Sequence, residues 1–426
     1  NYGFPLYWTG AIRPLYDVGG GTMAGLLRPL NNPTDTERQK CAGNVATHSR
    51  TVGNDPIVQG AVGDTDNDWW RARSLISDID NVSVPIHITG AYQDEQTGAR
   101  GPSHLWEKVA GVPKRLVLTN GDHGTNTNTA ETRNDRVAWM DHWMRSIDGG
   151  FGTLAADEKS VKVLLEMKNS PRASNGSISA ADFPIPGTTW TDYNLSTGGS
   201  LTTGSPVTGT ATYVSGSARQ SYQRLQGDPN SGEEFAQEAG PDELRFATAP
   251  LSTDTVVAGP ITATLNMSAT APDTEIYVEI DDIGPGGVSH LQRGLLKASH
   301  RATTDSLSDH IVGGPHSGDI YRPWRPHTNP QNILPGTTYK YLVEIWPVGH
   351  VFRAGHRIGI KIAAPPLVDG IYAYIPKRAV SLNTIYFGGA DPSRIMLPIV
   401  PVPTNLSSTA PACGALDSVR CTTEGW

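Results

Sequence analysis

From Asp68 onward the apolar positions fall into short blocks whose period changes along the chain. "DWWRARSLISDID" has helical spacing, "VSVPIHITG" and "KRLVLTN" are brief apolar runs with β-branched residues, and "SHLWEKVAGV" between them is spaced as an amphipathic helix. Strand, helix and strand, with about 25 residues from Gly90 to Leu116, fit a right-handed crossover between parallel strands. Helical spacing returns in "RVAWMDHWMRSID", and at about Gly149 the character changes. From Val161 the chain reads as alternating or β-branched segments between turns: "VKVLLEM", "TATYV", "ITATLNMSA", "EIYVEIDDI", "YKYLVEIW", "RIGIKIAA". That rhythm, punctuated by Pro-Gly and Gly-Gly, predicts a β-sandwich of the jelly-roll type. Before Gly60 the text is irregular, and its cluster of Gly19, Gly20, Gly21 and Gly25 is no phosphate loop, because no strand precedes it and no Lys-Ser/Thr follows.

At 426 residues the chain is too long for one ordinary compact domain, so two are expected. With 34 basic against 42 acidic residues and no basic run, nucleic acid is excluded as a partner. No stretch approaches the roughly 20 apolar residues of a membrane-spanning helix. The start at Asn1, with neither a methionine nor a signal peptide, fits a processed or truncated chain. A charged fraction of only 18%, with 46 Gly and 32 Pro, suits a loop-rich secreted protein. Cys413 and Cys421, close together in "ACGALDSVRC", are candidates for a disulfide; Cys41 is left over, either a buried thiol or one paired outside this chain.

The candidate chemistry lies where the two parallel strands end, in "GAYQDEQTG" and "GDHGTN", since ligands of open parallel sheets gather beyond the carboxyl ends of strands. Nucleophilic attack on a carbonyl needs a nucleophile, a histidine that carries its proton, and a carboxylate that orients the imidazole. Asp94 and His123 match the last two roles, in the Ser, Asp/Glu, His order of α/β-hydrolases. The neighbouring Glu95 is the alternative acid, and Asp122 a loop brace. Only Ser49, Ser74, Ser77 and Ser83 precede Asp94, and no Gly-x-Ser-x-Gly occurs anywhere. Two parallel strands alone would leave edges and faces bare. The rest of the sheet, with the nucleophilic serine, is therefore expected on an upstream segment. Nothing near Asp122 and His123 supplies a zinc ligand set, so neither metal nor other cofactor is expected.

The chain resembles the cocaine-esterase and X-Pro dipeptidyl-peptidase family of α/β-hydrolases. The carriers are "DNDWWRARS", "VPIHITGAYQDEQTG", "RLVLTNGDHG", "VAWMDHWMRSIDGG", and, further on, "LRFATAPLSTDTVVAGPITATLNMSATAPDTEIYVEIDDIGPGG" and "LPGTTYKYLVEIWPVGHVFRAGHRIGIKIA". The resemblance implies an α/β-hydrolase domain with a helical cap, followed by a jelly roll. Residues 1–80 then correspond to cap-like sequence, 81–150 to the C-terminal part of the hydrolase core, and 151–426 to the β-sandwich. It implies a serine hydrolase acting on a small ester, amide or peptide, with Asp94 as acid and His123 as base. One departure is visible: Gly90 to Asp94 is one residue longer than the common family spacing. Trp8, Trp69 and Trp70 are candidates for lining the acyl pocket, Trp69 and Trp70 equally for core aromatics. The competing reading is a non-catalytic carbohydrate- or protein-binding jelly roll with a degenerate hydrolase remnant.

Overall fold

The computed structural model describes residues 65–72, 74–94, 100–122, 129–148, 160–216, 242–365, 368–369, 372–373, 379–423 and 426. Trp8, Cys41, Glu95 and His123 lie outside the described residues, and of Trp69 and Trp70 only the backbone, in a helical turn over Asp68–Arg71, is described.

The first layer is a sheet of strands β1 (Ile86–Ala91), β2 (Lys114–Thr119), β3 (Val161–Leu165) and β4 (Gly176–Ala180), in that order. Pairs β1–β2 and β2–β3 are parallel, and β3–β4 is antiparallel. Helix α1 (Arg100–Lys108) joins the first two strands, and α2 (Ala130–Arg145) joins β2 to β3. The start of α1 lies three residues before its apolar pattern, with Pro102 in the first turn, where a missing amide costs nothing. Past its end, Gly111 takes a left-handed φ of 74° just before Pro113. A Cβ on Gly90 would lie 2.8 Å from the Pro102 ring, so that glycine lets α1 lie close on β1. The hydroxyl of Thr129 caps α2 by accepting from the Thr132 amide.

This sheet corrects one expectation. The sequence pattern gave the front of the chain two strands and assigned "VKVLLEM" to the sandwich. That segment is β3, paired in parallel with β2 through Leu116↔Val161 and Leu118↔Val163. Val161, Val163, Leu164 and Leu165 are all buried, so both faces of the strand are covered, as in a parallel sheet. The outer edge of β1 has no strand partner among the described residues.

Most of the remaining strands form one large, almost wholly antiparallel system, and four short ones form two separate two-stranded pairs. In chain order they are β5 (Thr189–Ser196), β6 (Ser200–Thr202), β7 (Gly209–Ser215), β8 (Glu243–Ala247), β9 (Thr255–Ala269), β10 (Glu275–Gly284) and β11 (Gly287–Lys297), then a small hairpin of β12 (Asp309–His310) and β13 (Ile320–Arg322). Next come β14 (Tyr339–Phe352), β15 (Arg357–Ala363), the short pair β16 (Val368–Asp369) and β17 (Tyr372–Ala373), β18 (Ser381–Phe387), β19 (Arg394–Val400) and β20 (Cys421–Thr422). The order is β14-β11-β10-β15-β8-β6-β5-β19-β9-β18-β7, and β14 also pairs with β9, so the pairing path turns back on itself. Period two shows clearly on β10: Ile276, Val278 and Ile280 enter the main core while Tyr277, Glu279 and Asp281 face the other side. Cys413 and Cys421 are joined, with Cα atoms 5.6 Å apart, and Cys421 lies in β20, which pairs with β11.

The two layers share a second core. Ile88, Tyr92, Leu116, Val161 and Val163 pack with Val256, Ala258, Val351 and Val400. Around it, Arg353 donates to both carboxylate oxygens of Glu166 at 2.8 and 2.5 Å, and Arg322 pairs with Glu107 and Asp309. A Cβ on Gly349 would lie 2.7 Å from the Tyr92 hydroxyl and 2.8 Å from Val163. Gly349→Val is therefore expected to destabilise the protein by about 1–3 kcal/mol through overpacking, read as a lower urea midpoint. An unchanged midpoint would show that this contact is not made in solution.

Candidate active site

Strands β1 and β2 run in register to their ends, Ala91 opposite Thr119. Beyond them the two loops stay joined. The Tyr92 amide donates to the Thr119 carbonyl at 2.9 Å, the Gln93 amide to the Gly121 carbonyl at 3.0 Å, and the Gly121 amide to Gln93 Oε1 at 2.9 Å. Gly121 has φ 143°, a conformation that favours glycine. Asp94 is the next residue on one side. On the other side Asp122 follows and His123 comes after it, just outside the described residues. Asp94 is half-buried, and its amide turns back to the Ala91 carbonyl at 3.3 Å.

Three buried amide side chains hold these loops, and pattern reading missed all of them. Asn120 donates to the carbonyls of Met167 and Asp417, both at 2.9 Å, and accepts from the Met167 amide at 2.7 Å. Gln93 Nε2 donates to the Leu291 carbonyl at 2.9 Å, and Gln292 Nε2 to the Tyr92 carbonyl at 2.8 Å. The one available signal was a polar amide at the end of an apolar run, in "TGAYQ" and "VLTN". Burial pushes the Tyr92 phenol up, so it stays neutral beneath the loop.

Among the described residues, Glu279, Asp281 and His290 bring ligand atoms within 4.8 Å of one another. His290 Nδ1 lies 2.8 Å from Glu279 and 2.9 Å from Asp281, and Lys361 Nζ lies 2.6 Å from the same Glu279 oxygen. Burial alone would raise the Glu279 carboxyl, but Lys361 and His290 outweigh it and hold it well below the usual range. Tyr277 donates to the other Glu279 oxygen at 2.5 Å, so both Glu279 oxygens accept hydrogen bonds within this cluster. No helix of the described residues is long and apolar enough to cross a membrane.

Parallel strands linked by helices, with joined loops at adjacent strand ends and a β module packed alongside, make up the architecture. The fold is that of a CocE/NonD family hydrolase from Staphylococcus aureus, with a TM-score of 0.64 at 16% identity over 81% of this chain and 59% of that one. Residues 154–395, more than half of the chain, match the X-Pro dipeptidyl-peptidase C-terminal non-catalytic domain, and residues 22–125 match the X-Pro dipeptidyl-peptidase S15 family. The chain thus belongs to the X-Pro dipeptidyl-peptidase family, and the resemblance drawn from its sequence holds. A Mycobacterium tuberculosis protein assigned as a serine esterase is 27% identical over 279 residues, 62% of this chain and 40% of the relative. The cocaine esterase of a Rhodococcus species is 24% identical over 386 residues, 81% of this chain and 61% of the relative. The chain spans about half the length of the curated relatives it matches.

Proposed function

We propose that this chain carries the acid and base of a serine hydrolase that cleaves a small ester or amide, an acyl ester in preference to an X-Pro peptide. Asp94 orients the imidazole, and His123 takes the proton from the attacking serine and returns it to the leaving group. The observation that carries this reading is the joining of the two loops, through Gln93 and Gly121, at the in-register ends of parallel strands. The serine belongs to an upstream segment that pairs with the outer edge of β1. Two features support such a segment: that edge has no strand partner among the described residues, and Val137, Met140 and Met144, on one face of α2, are exposed. In this reading Trp8, Trp69 and Trp70 line the acyl pocket, and the antiparallel module is a jelly roll. The Cys413–Cys421 bridge supports a secreted protein.

A fluorophosphonate probe tests the mechanism. The full-length protein is expected to take up one probe per chain on a serine, located by peptide mass mapping. Absence of label on any serine of properly folded protein would remove covalent catalysis.

A further inference from the structure

The β module's matched family description is non-catalytic, yet its strand β11 grips the acid loop residue by residue. Leu291 accepts from the Gln93 side chain at 2.9 Å, and Gln292 donates to the Tyr92 carbonyl at 2.8 Å and to the Pro347 carbonyl at 3.1 Å. Gln93 also accepts from Gly121 at 2.9 Å. Both glutamines are buried, Gln93 at 8% and Gln292 at 1% exposure. A primary amide donates and accepts at separate atoms. Gln93 can therefore bridge a carbonyl of β11 and an amide of the base loop at once. No aliphatic residue can do this, and a carboxylate can make only the second bond.

We propose that Gln93 and Gln292 are positioning residues, which make the β module the fixed frame against which the acid loop at Asp94 and the base loop at His123 are set. The inference rests on the triad reading given above. Consecutive residues of β11 hold Tyr92 and Gln93, and Asp94 is the next residue along. Two residues past Gly121 is His123. Loosening the clamp lets acid and base drift apart without removing either. A misplacement of about 1 Å is enough to cost about a hundredfold in rate. A carboxylate set less closely against an imidazole also raises its pKa less.

The test is the second-order rate of fluorophosphonate labelling of the full-length protein as a function of pH. Gln93→Met and Gln292→Met are expected to slow labelling by about 10- to 100-fold and to move the rising limb of the pH profile to lower pH. Phe246→Leu, a cut in the β-module core, serves as the control for stability alone and should move neither. Should Gln93→Met fail to fold, Gln292→Met decides instead: it removes the donor to the Tyr92 carbonyl, leaves Gln93 in place, and should show the same two changes. Folded glutamine variants with the wild-type rate and limb would overturn the clamp, while loss of labelling in His123→Ala left the triad standing. Wild-type labelling in His123→Ala would instead overturn the triad reading itself.

Discussion

His123→Ala is expected to lower kcat of the full-length protein by about three to six orders of magnitude, with KM little changed. In the proposed triad the imidazole takes the serine proton, and its loss leaves only binding and the oxyanion site to act. Asp94→Asn should cost about 10⁴-fold, because an amide in that place favours the wrong imidazole tautomer. Glu95→Gln, by contrast, should leave most of the activity. Gln93, the residue before Asp94, has both ends of its amide engaged by Leu291 and Gly121. Asp94 is the next residue along. A carbohydrate- or protein-binding remnant would keep its binding in all three variants and show no turnover to lose. Steady-state hydrolysis of a chromogenic acyl ester, with thermal unfolding of each variant as control, separates the readings.

Much of the fold was legible because local pattern and tertiary role agree. "VSVPIHITG" and "KRLVLTN" are short apolar runs with no competing helical period, and they became β1 and β2. The strand "VKVLLEM" misled because Lys162 interrupts its apolar run and imitates the alternation of a half-buried strand. Lys162 sits at intermediate burial while both sequence neighbours are buried, so the lysine stem covers apolar surface in a strand otherwise closed on both faces. Cys413 and Cys421 were legible as a pair because only eight positions separate them. The amide clamp was not legible, since Gln93 and Gln292 lie almost two hundred positions apart and a glutamine in a loop carries no period. Only the pairing of β11 with its neighbours brings them together.

Asp135→Ala is expected to destabilise the protein by about 3–5 kcal/mol, more than any surface ion pair could. Asp135 stands on α2 and accepts from Arg115 of β2 at 3.1 and 2.5 Å, and its Oδ1 lies 2.9 Å from Nε2 of His87 on β1. All three side chains are buried, so removing the carboxylate deprives a buried guanidinium of its Asp135 partner where water cannot replace it. Burial alone would raise the Asp135 carboxyl, but the hydrogen bonds from His87 and Arg115, with the Arg115 charge, outweigh it and hold it well below the ordinary range. A depressed folded value means that this stabilisation is complete above the unfolded value of about 3.9 and is lost as pH falls from there through the folded value. Urea denaturation should therefore show a full gap between wild type and variant at neutral pH, narrowing below about pH 4. The pair Arg115→Met with Asp135→Leu should recover most of the loss, because an apolar pair of similar volume leaves no buried charge alone. A single Asp135→Ala variant as stable as wild type at pH 7 would show that α2 is not held to the sheet through this ion pair.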